Sequence, residues 1–114
     1  MIWVKQNKYG NEKTVVDGIT FASRKEASRY QELKMLEKAG EITGLSRQLR
    51  IELIPKTKLY RACYYVADFS YFDKRTKTTI YEDVKGYKGG NAYQIFKLKK
   101  KILYWRHGID VREV

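Results

Sequence analysis

Apolar and polar positions along the chain predict short strands alternating with two helices. Val15–Phe21 holds two apolar stretches around Asp17-Gly18, a dipeptide that readily takes the positive φ angles of a tight hairpin turn. Ser23-Arg24-Lys25-Glu26 then has the pattern of a capping box, in which Ser at the N-cap and Glu three residues later satisfy the first amides of a helix. Gly40 predicts that this helix ends after Ala39.

The first helix is expected to bury one face. Glu26, Tyr30, Leu33 and Leu36 recur at three- and four-residue steps, which places them on one side of a helix. That side is apolar except for the carboxylate at its leading end. The sequence therefore predicts a packed helix with Glu26 at the top of its buried stripe.

Three strand candidates follow the first helix. Ile42–Ile54 has alternating apolar residues and ends at Pro55, and Arg61–Phe72 is rich in Tyr, Val and Phe. Lys74–Lys77 predicts a turn, and Thr78–Lys85 predicts the next strand.

A second helix is predicted over Ala92–Arg106, ended by Gly108, before the closing strand candidate Ile109–Val114. Its core stripe is expected to be Ile95, Leu98, Ile102 and Trp105. This order of elements predicts an α/β (α+β) fold with a central mixed sheet flanked by two helices. The length of 114 residues predicts a single domain over 1–114.

The charge is high and unevenly distributed. Lys and Arg number 24 against 13 Asp and Glu, which gives a net charge of +11. No acidic residue occurs from Val84 to Ile109, where seven basic residues stand. This segregation favours a polyanionic partner such as DNA, the alternative being a basic surface that only faces water.

The rare residues exclude several classes of site. One Cys and one His rule out an intrachain disulfide and the Cys-rich or paired-His zinc sites. A catalytic metal would therefore need carboxylate ligands, which suit Mg²⁺ or Mn²⁺. The longest apolar run, Ala62–Ala67, is far below the ~20 residues that span a bilayer. With no secretion signal recognised, we expect a cytoplasmic protein without a membrane partner.

Two strand segments carry acids among apolar residues. Asp68 lies within Tyr65–Phe69, and Asp83 stands two residues before Lys85, so that the latter two point to one face of a strand. If the two strands pair, Asp68 approaches Asp83. Two nearby carboxylates repel unless a positive group lies between them, and a divalent cation meets that need.

This arrangement resembles the PD-(D/E)XK nuclease superfamily, in which an Asp on one strand precedes a (D/E)-x-K pattern on the next. Many members add a Glu from the first core helix, and Glu26 matches it. The whole chain is also similar to small phage and prophage endonuclease-like proteins that are poorly characterised. The matching stretches are Asn7–Gly10, Val16–Phe21, Tyr65–Phe69, Glu82–Gly86 and Gly108–Val114.

The resemblance implies Mg²⁺- or Mn²⁺-dependent hydrolysis of DNA phosphodiester bonds. Asp68, Asp83, Glu26 and the backbone carbonyl of Val84 would bind the metal, and Lys85 would position the attacking water. Two positions depart from the superfamily pattern: Ala67 replaces a common Pro, and Leu98 replaces the Tyr of RecB-like members. The second departure disfavours an exonuclease of that branch.

Structural alternatives exist for each acid. Glu26 would serve only as the third residue of its capping box, Asp68 would pair with Arg61, and Asp83 would pair with Lys85. A one-residue bulge would make Glu82 the inward-facing acid in place of Asp83. The functional alternatives are a DNA-binding module that cuts nothing and a basic interaction protein of phage assembly.

Lysines of the second helix complete the predicted DNA contacts. Lys97, Lys100 and Lys101 are expected to face outward, with Lys88 in the preceding glycine-rich loop. The absence of an appended recognition domain favours structure-selective cutting of branched DNA, such as Holliday-junction resolution in phage DNA metabolism. Two matched nicks would require two sites, and hence a homodimer acting in the host cytoplasm.

Overall fold

A computed structural model describes residues 3–6, 12–86 and 88–114 of the chain, and side chains from residue 13 onward within those ranges. The stretch Asn7–Gly10, which carries part of the family resemblance, lies outside the described residues. The chain divides into two compact units, Met1–Glu41 and Ile42–Val114. The single domain over 1–114 stays a prediction.

The first unit is a three-stranded antiparallel sheet followed by a helix. Its strands are β1 (Trp3–Gln6), β2 (Glu12–Val16) and β3 (Ile19–Phe21), in the order β1-β2-β3. The turn between β2 and β3 has positive φ angles of 53° at Asp17 and 75° at Gly18, as the sequence predicted. Helix α1 (Arg24–Lys38) follows.

Local hydrogen bonds fix both ends of α1. The Ser23 hydroxyl accepts from the Glu26 amide at 3.1 Å, and the Glu26 carboxylate accepts from the Ala22 amide at 3.3 Å. Gly40 ends the helix with a φ of 82°, which favours glycine. The buried face carries Glu26, Tyr30 and Leu33 as predicted, together with Ala27, whereas Leu36 is only half-buried.

The second unit contains a four-stranded mixed sheet and one helix. The strands are β4 (Ile42–Ile54), β5 (Cys63–Asp73), β6 (Thr78–Asp83) and β7 (Arg112–Glu113), in the order β4-β5-β6-β7. The first two pairings are antiparallel, and β6 pairs with β7 in parallel. Helix α2 (Gly90–His107) supplies the crossover that a parallel pair requires. The predicted mixed α and β fold with a central mixed sheet is confirmed.

The predicted core stripe of the second helix is wrong. Ile95, Leu98 and Trp105 are 56%, 59% and 82% exposed, and Ile102 only borders the core. Phe96 and Leu103 are the helix residues that pack against the sheet, where they join a cluster of buried side chains from the strands and the chain end: Leu53, Tyr65, Ala67 and Val111.

Polar bonds at the helix margins hold α2 in this rotation. Lys99 Nζ donates to the Tyr64 carbonyl at 3.0 Å, and Arg106 donates to the Glu52 carboxylate at 2.9 Å. The His107 ring bonds the Glu52 carbonyl at 2.6 Å, so it contacts β4 rather than capping its own helix. The predicted stripe and the pair Phe96 and Leu103 both have helical spacing. The contacts of α2 with the sheet determine that Phe96 and Leu103 are buried.

Neither described helix combines the length and apolarity needed to cross a membrane.

Candidate active site

The centre of the site is the peptide group that joins Asp83 to Val84 at the end of β6. The Val84 amide donates to Asp68 Oδ2 at 2.8 Å. Asp68 lies on β5, immediately before Phe69, and Phe69 pairs with Glu82 on β6. The antiparallel pairing therefore brings the β5 acid to the D-x-K segment.

Gln48 on the neighbouring strand β4 also holds Asp68. Its Nε2 donates to Asp68 Oδ1 at 3.3 Å. Gln48 has a φ of 51°, in the left-handed region that a residue other than glycine seldom adopts. Strained backbone of this kind is common at functional sites, where the surrounding structure over-determines the conformation.

Asp83 is buried and paired with Lys85. Lys85 Nζ lies 2.9 Å from Asp83 Oδ1, and the Tyr65 hydroxyl donates to Asp83 Oδ2 at 2.6 Å. Lys85 Nζ also lies 3.6 Å from the centre of the Phe96 ring, a cation–π contact. The ion pair that the sequence offered as a structural alternative is thus present, and it fixes Lys85 beside Asp83.

Tyr65 receives the electrostatic influence of three acids. Burial raises the pKa of its hydroxyl, the hydrogen bond to Asp83 raises it further, and the charges of Asp83, Asp68 and Glu113 act in the same direction. Tyr65 therefore remains a protonated donor over the physiological pH range. Its hydroxyl holds the Asp83 carboxylate in position through this hydrogen bond.

Glu82 occupies a separate environment. Its side chain is fully buried and accepts a hydrogen bond from the Tyr71 hydroxyl. The β5–β6 register runs without interruption from Phe69 and Glu82 to Asp73 and Thr78, so no bulge exchanges the two acids there. Asp83, rather than Glu82, is the acid that contacts Lys85.

The parallel strand β7 brings a third acid to the neighbourhood. Glu113 pairs in register with Asp83, and the Val114 amide donates to the Asp83 carbonyl at 3.0 Å. Glu113 Oε2 accepts from Lys100 at 3.2 Å, and Oε1 accepts from the Tyr93 hydroxyl at 3.1 Å. Burial alone would raise the pKa of Glu113, but these bonds and the charges of Lys100 and Lys88 outweigh it and lower the pKa.

The lysines predicted to bind DNA gather beside Glu113. Lys97, Lys100 and Lys101 line one groove of about 550 Å³ together with two aromatic and two acidic residues: Tyr93, Tyr104, Asp110 and Glu113. Lys97 and Lys101 are exposed, as predicted, whereas Lys100 is half-buried. Lys88 Nζ lies 3.9 Å from Glu113 Oε1. Glu113 thus contacts the lysines of the groove through its side chain, while its backbone pairs with Asp83.

Asp68 and Asp83 fit a magnesium ion by their chemistry. Mg²⁺ takes oxygen ligands, commonly one or two carboxylates with water and phosphate oxygens in the remaining positions. A carboxylate has about four acceptor sites, so hydrogen bonds from Gln48, Val84, Tyr65 and Lys85 are compatible with metal binding. Within 42–86 and 88–114, no three His, Cys, Asp or Glu side chains form a group that could hold a metal. Asp68 and Asp83 are the two carboxylates that would hold such an ion.

The remaining predicted ligands are less closely defined. Val84 contributes its amide to Asp68, and its carbonyl as a metal ligand stays a prediction. Glu26 belongs to the first unit, where it is buried and accepts from the Ala22 amide. This supports the capping role, and its assignment as a metal ligand also stays a prediction.

Sequence reasoning missed several residues that hold the site together. Tyr65 and Gln48 bind the two acids directly, and Glu113 reaches them through the β6–β7 pair. The alternation of Ile109–Val114 indicated a closing strand but not its partner. No local signal predicts which strand a two-residue β7 joins.

Residues 6–113 match the model of a family described as "Protein of unknown function (DUF1064)". No curated protein and no solved structure matched the chain.

Proposed function

This chain belongs to the DUF1064 family, whose function is unknown, and we propose that it is a metal-dependent endonuclease that hydrolyses DNA phosphodiester bonds. One observation carries the proposal. The Asp68 carboxylate bonds the amide of Val84, the residue between Asp83 and Lys85, and those two residues form an ion pair. The β5 acid of the PD-(D/E)XK pattern therefore contacts the backbone of the D-x-K segment, which supports membership of that superfamily.

Each group has a defined task in this proposal. Asp68 and Asp83 would hold Mg²⁺ or Mn²⁺, which when bound supplies Lewis-acid stabilisation of the phosphate and an activated water. Lys85, fixed by Asp83 and the Phe96 ring, places a positive charge next to the scissile phosphate. Tyr65 keeps Asp83 oriented through its hydroxyl.

The groove on α2 would hold the DNA backbone. Its three lysines supply positive charge, and its two tyrosines supply flat apolar surface. Phosphate contacts of this kind fix the position of DNA without reading its sequence. We therefore propose structure-selective cutting, with branched DNA such as a Holliday junction as the substrate class, by a homodimer acting in the host cytoplasm.

A non-catalytic DNA-binding module is the second candidate. The observation in its favour is that each carboxylate oxygen of Asp83 already contacts a protein donor. Such an ion pair also stabilises a fold that has no metal.

Incubation of supercoiled plasmid with purified protein distinguishes the two functions. Nicking in MgCl₂ or MnCl₂ that EDTA abolishes supports the endonuclease. Plasmid that is retarded on a gel but stays supercoiled in every metal supports the binding module.

Lys85→Ala is expected to abolish nicking while changing DNA affinity less than about twofold. Lys85 is one of 24 basic residues, so its loss matters little to nonspecific phosphate binding, whereas its charge at the reacting phosphate has no substitute. Nicking rates and filter-binding affinities measure the two effects separately. An equal loss of both would make Lys85 a binding contact only.

Neutralising the groove should weaken binding to all DNA sequences alike. The variant Lys97→Gln/Lys100→Gln/Lys101→Gln is expected to reduce the slope of log K against log salt by roughly 2–3, because each DNA phosphate that a lysine neutralises adds about 0.9 to that slope. The matched control is Lys74→Gln/Arg75→Gln/Lys77→Asn in the exposed β5–β6 turn, where Asn suits the positive φ of residue 77. Equal slopes for the two variants would contradict a DNA-binding role for the groove.

A further inference from the structure

The loop between β4 and β5 presents two large apolar side chains to solvent. Leu59 is 82% exposed and Tyr60 is 74% exposed. Single exposed apolar residues are ordinary in soluble proteins, but these two are adjacent and stand at the same tip. All residues from Pro55 to Arg61 are exposed.

Hydrogen bonds give this tip a defined shape. The Thr57 amide donates to the Tyr60 carbonyl at 2.9 Å, and the Tyr60 amide donates to the Thr57 hydroxyl at 3.0 Å. Residues 57–60 therefore form a closed turn with Lys58 and Leu59 at its apex. Because the backbone of this turn is already ordered, binding of a partner to the tip costs little conformational entropy.

The charges around the tip fit a polyanion. Residues 55–62 contain Lys56, Lys58 and Arg61 and no acidic residue. Glu52, the nearest acid before the loop, is paired with Arg106 at 2.9 Å. Basic residues next to two exposed apolar side chains match the combination of phosphates and bases in DNA.

The strand β5 connects the tip to the proposed active site. Tyr64, Val66 and Asp68 lie on one face of the strand, and the Arg50 guanidinium lies 4.2 Å above the Tyr64 ring. The loop leads into this strand at Cys63, five residues before Asp68.

We propose that Leu59 and Tyr60, in the loop that leads into β5, form an apolar wedge that inserts against the bases of bound DNA. The inference rests on the DNA-binding part of the proposed function and not on cleavage. A wedge is most favourable where a base step is already open, because less stacking energy is lost on insertion. The substrate class is thus DNA with an unpaired or weakly stacked step, as at a branch point.

A DNA junction carrying 2-aminopurine at successive positions tests the wedge in EDTA, where cutting is prevented. Wild-type protein should raise the fluorescence of 2-aminopurine at positions near the branch, because the probe brightens on unstacking. Leu59→Ala/Tyr60→Ala should abolish this rise and bind about 5- to 150-fold more weakly, since stacking on one base contributes ~1–3 kcal/mol. Its salt dependence should match wild type, because every phosphate contact is retained.

Two further variants make the test specific. Met35→Ala removes another exposed apolar side chain from α1 and should leave both affinity and fluorescence unchanged. Tyr60→Trp retains an aromatic surface and should preserve the fluorescence rise. The turn bonds of Tyr60 use its backbone, so the alanine variants retain the tip.

The outcomes separate the wedge from the proposed function. Unchanged affinity and fluorescence in the double variant, with wild-type binding intact, would overturn the wedge alone, and a protein partner would then be the occupant to seek. Failure of wild-type protein to bind any DNA would overturn both.

Discussion

Asp83→Asn should lower metal-dependent DNA cleavage by about three orders of magnitude, because a metal ligand at the scissile phosphate stabilises the transition state by several kcal/mol and each 1.36 kcal/mol is tenfold in rate. Asn has nearly the same shape as Asp and can still bond the Tyr65 hydroxyl. The substitution therefore removes the charge while it preserves most of the packing. Initial rates of plasmid nicking in MgCl₂ measure the effect.

A matched charge change on the neighbouring strand β5 serves as the control. Asp73 lies at the far end of β5, where its carboxylate accepts from the Arg75 amide at 2.9 Å. Asp73→Asn retains that acceptor and should cleave at the wild-type rate. Asp83→Asn protein that keeps its circular dichroism spectrum and cuts as fast as Asp73→Asn would eliminate Asp83 as a metal ligand.

Leu103→Ala should lower the free energy of unfolding by about 2–5 kcal/mol, the usual cost of truncating a buried leucine to alanine. Leu103 is fully buried among Leu53, Phe96 and Val111, so its truncation leaves a cavity that the sheet cannot fill. Leu98→Ala removes the same atoms from the exposed stripe of α2 and should change stability by less than about 0.5 kcal/mol. Urea denaturation of the two variants measures the difference.

This comparison tests the rotation of α2 directly. The sequence pattern alone predicts that Leu98 is buried, and hence that Leu98→Ala is the destabilising substitution. Destabilisation by Leu98→Ala as large as that by Leu103→Ala would place both apolar stripes of the helix against other structure.

Local elements were predictable because their causes lie within a few residues. The Asp17-Gly18 turn depends on two residues that tolerate positive φ, and the start of α1 depends on Ser23 and Glu26. The strand Ile42–Ile54 was predicted to the residue because alternation and Pro55 define it. Each of these features is stabilised by bonds between near neighbours in sequence.

The adjacency of the candidate site residues was predictable in part. Strand alternation placed Asp83 and Lys85 on one face, and a short turn implied that their strand pairs with the one carrying Asp68. Their contacts through Val84, Tyr65 and Gln48 required the actual register and the unusual backbone at residue 48. The register of two paired strands depends on side chains across the whole sheet, so it cannot be predicted from one segment of the sequence alone.

The strands, the helices and the segregation of basic charge follow from the order of amino acids, because turn chemistry, capping and periodicity act over short distances. Tertiary packing selected which apolar stripe of α2 is buried, since Phe96 and Leu103 compete with Ile95, Leu98 and Trp105 at equal helical spacing. It also joined β7 to β6 in parallel and carried Glu113 to the lysine groove. Both outcomes depend on packing between segments distant in sequence, where the free energy of the whole sheet, not local preference, selects the arrangement.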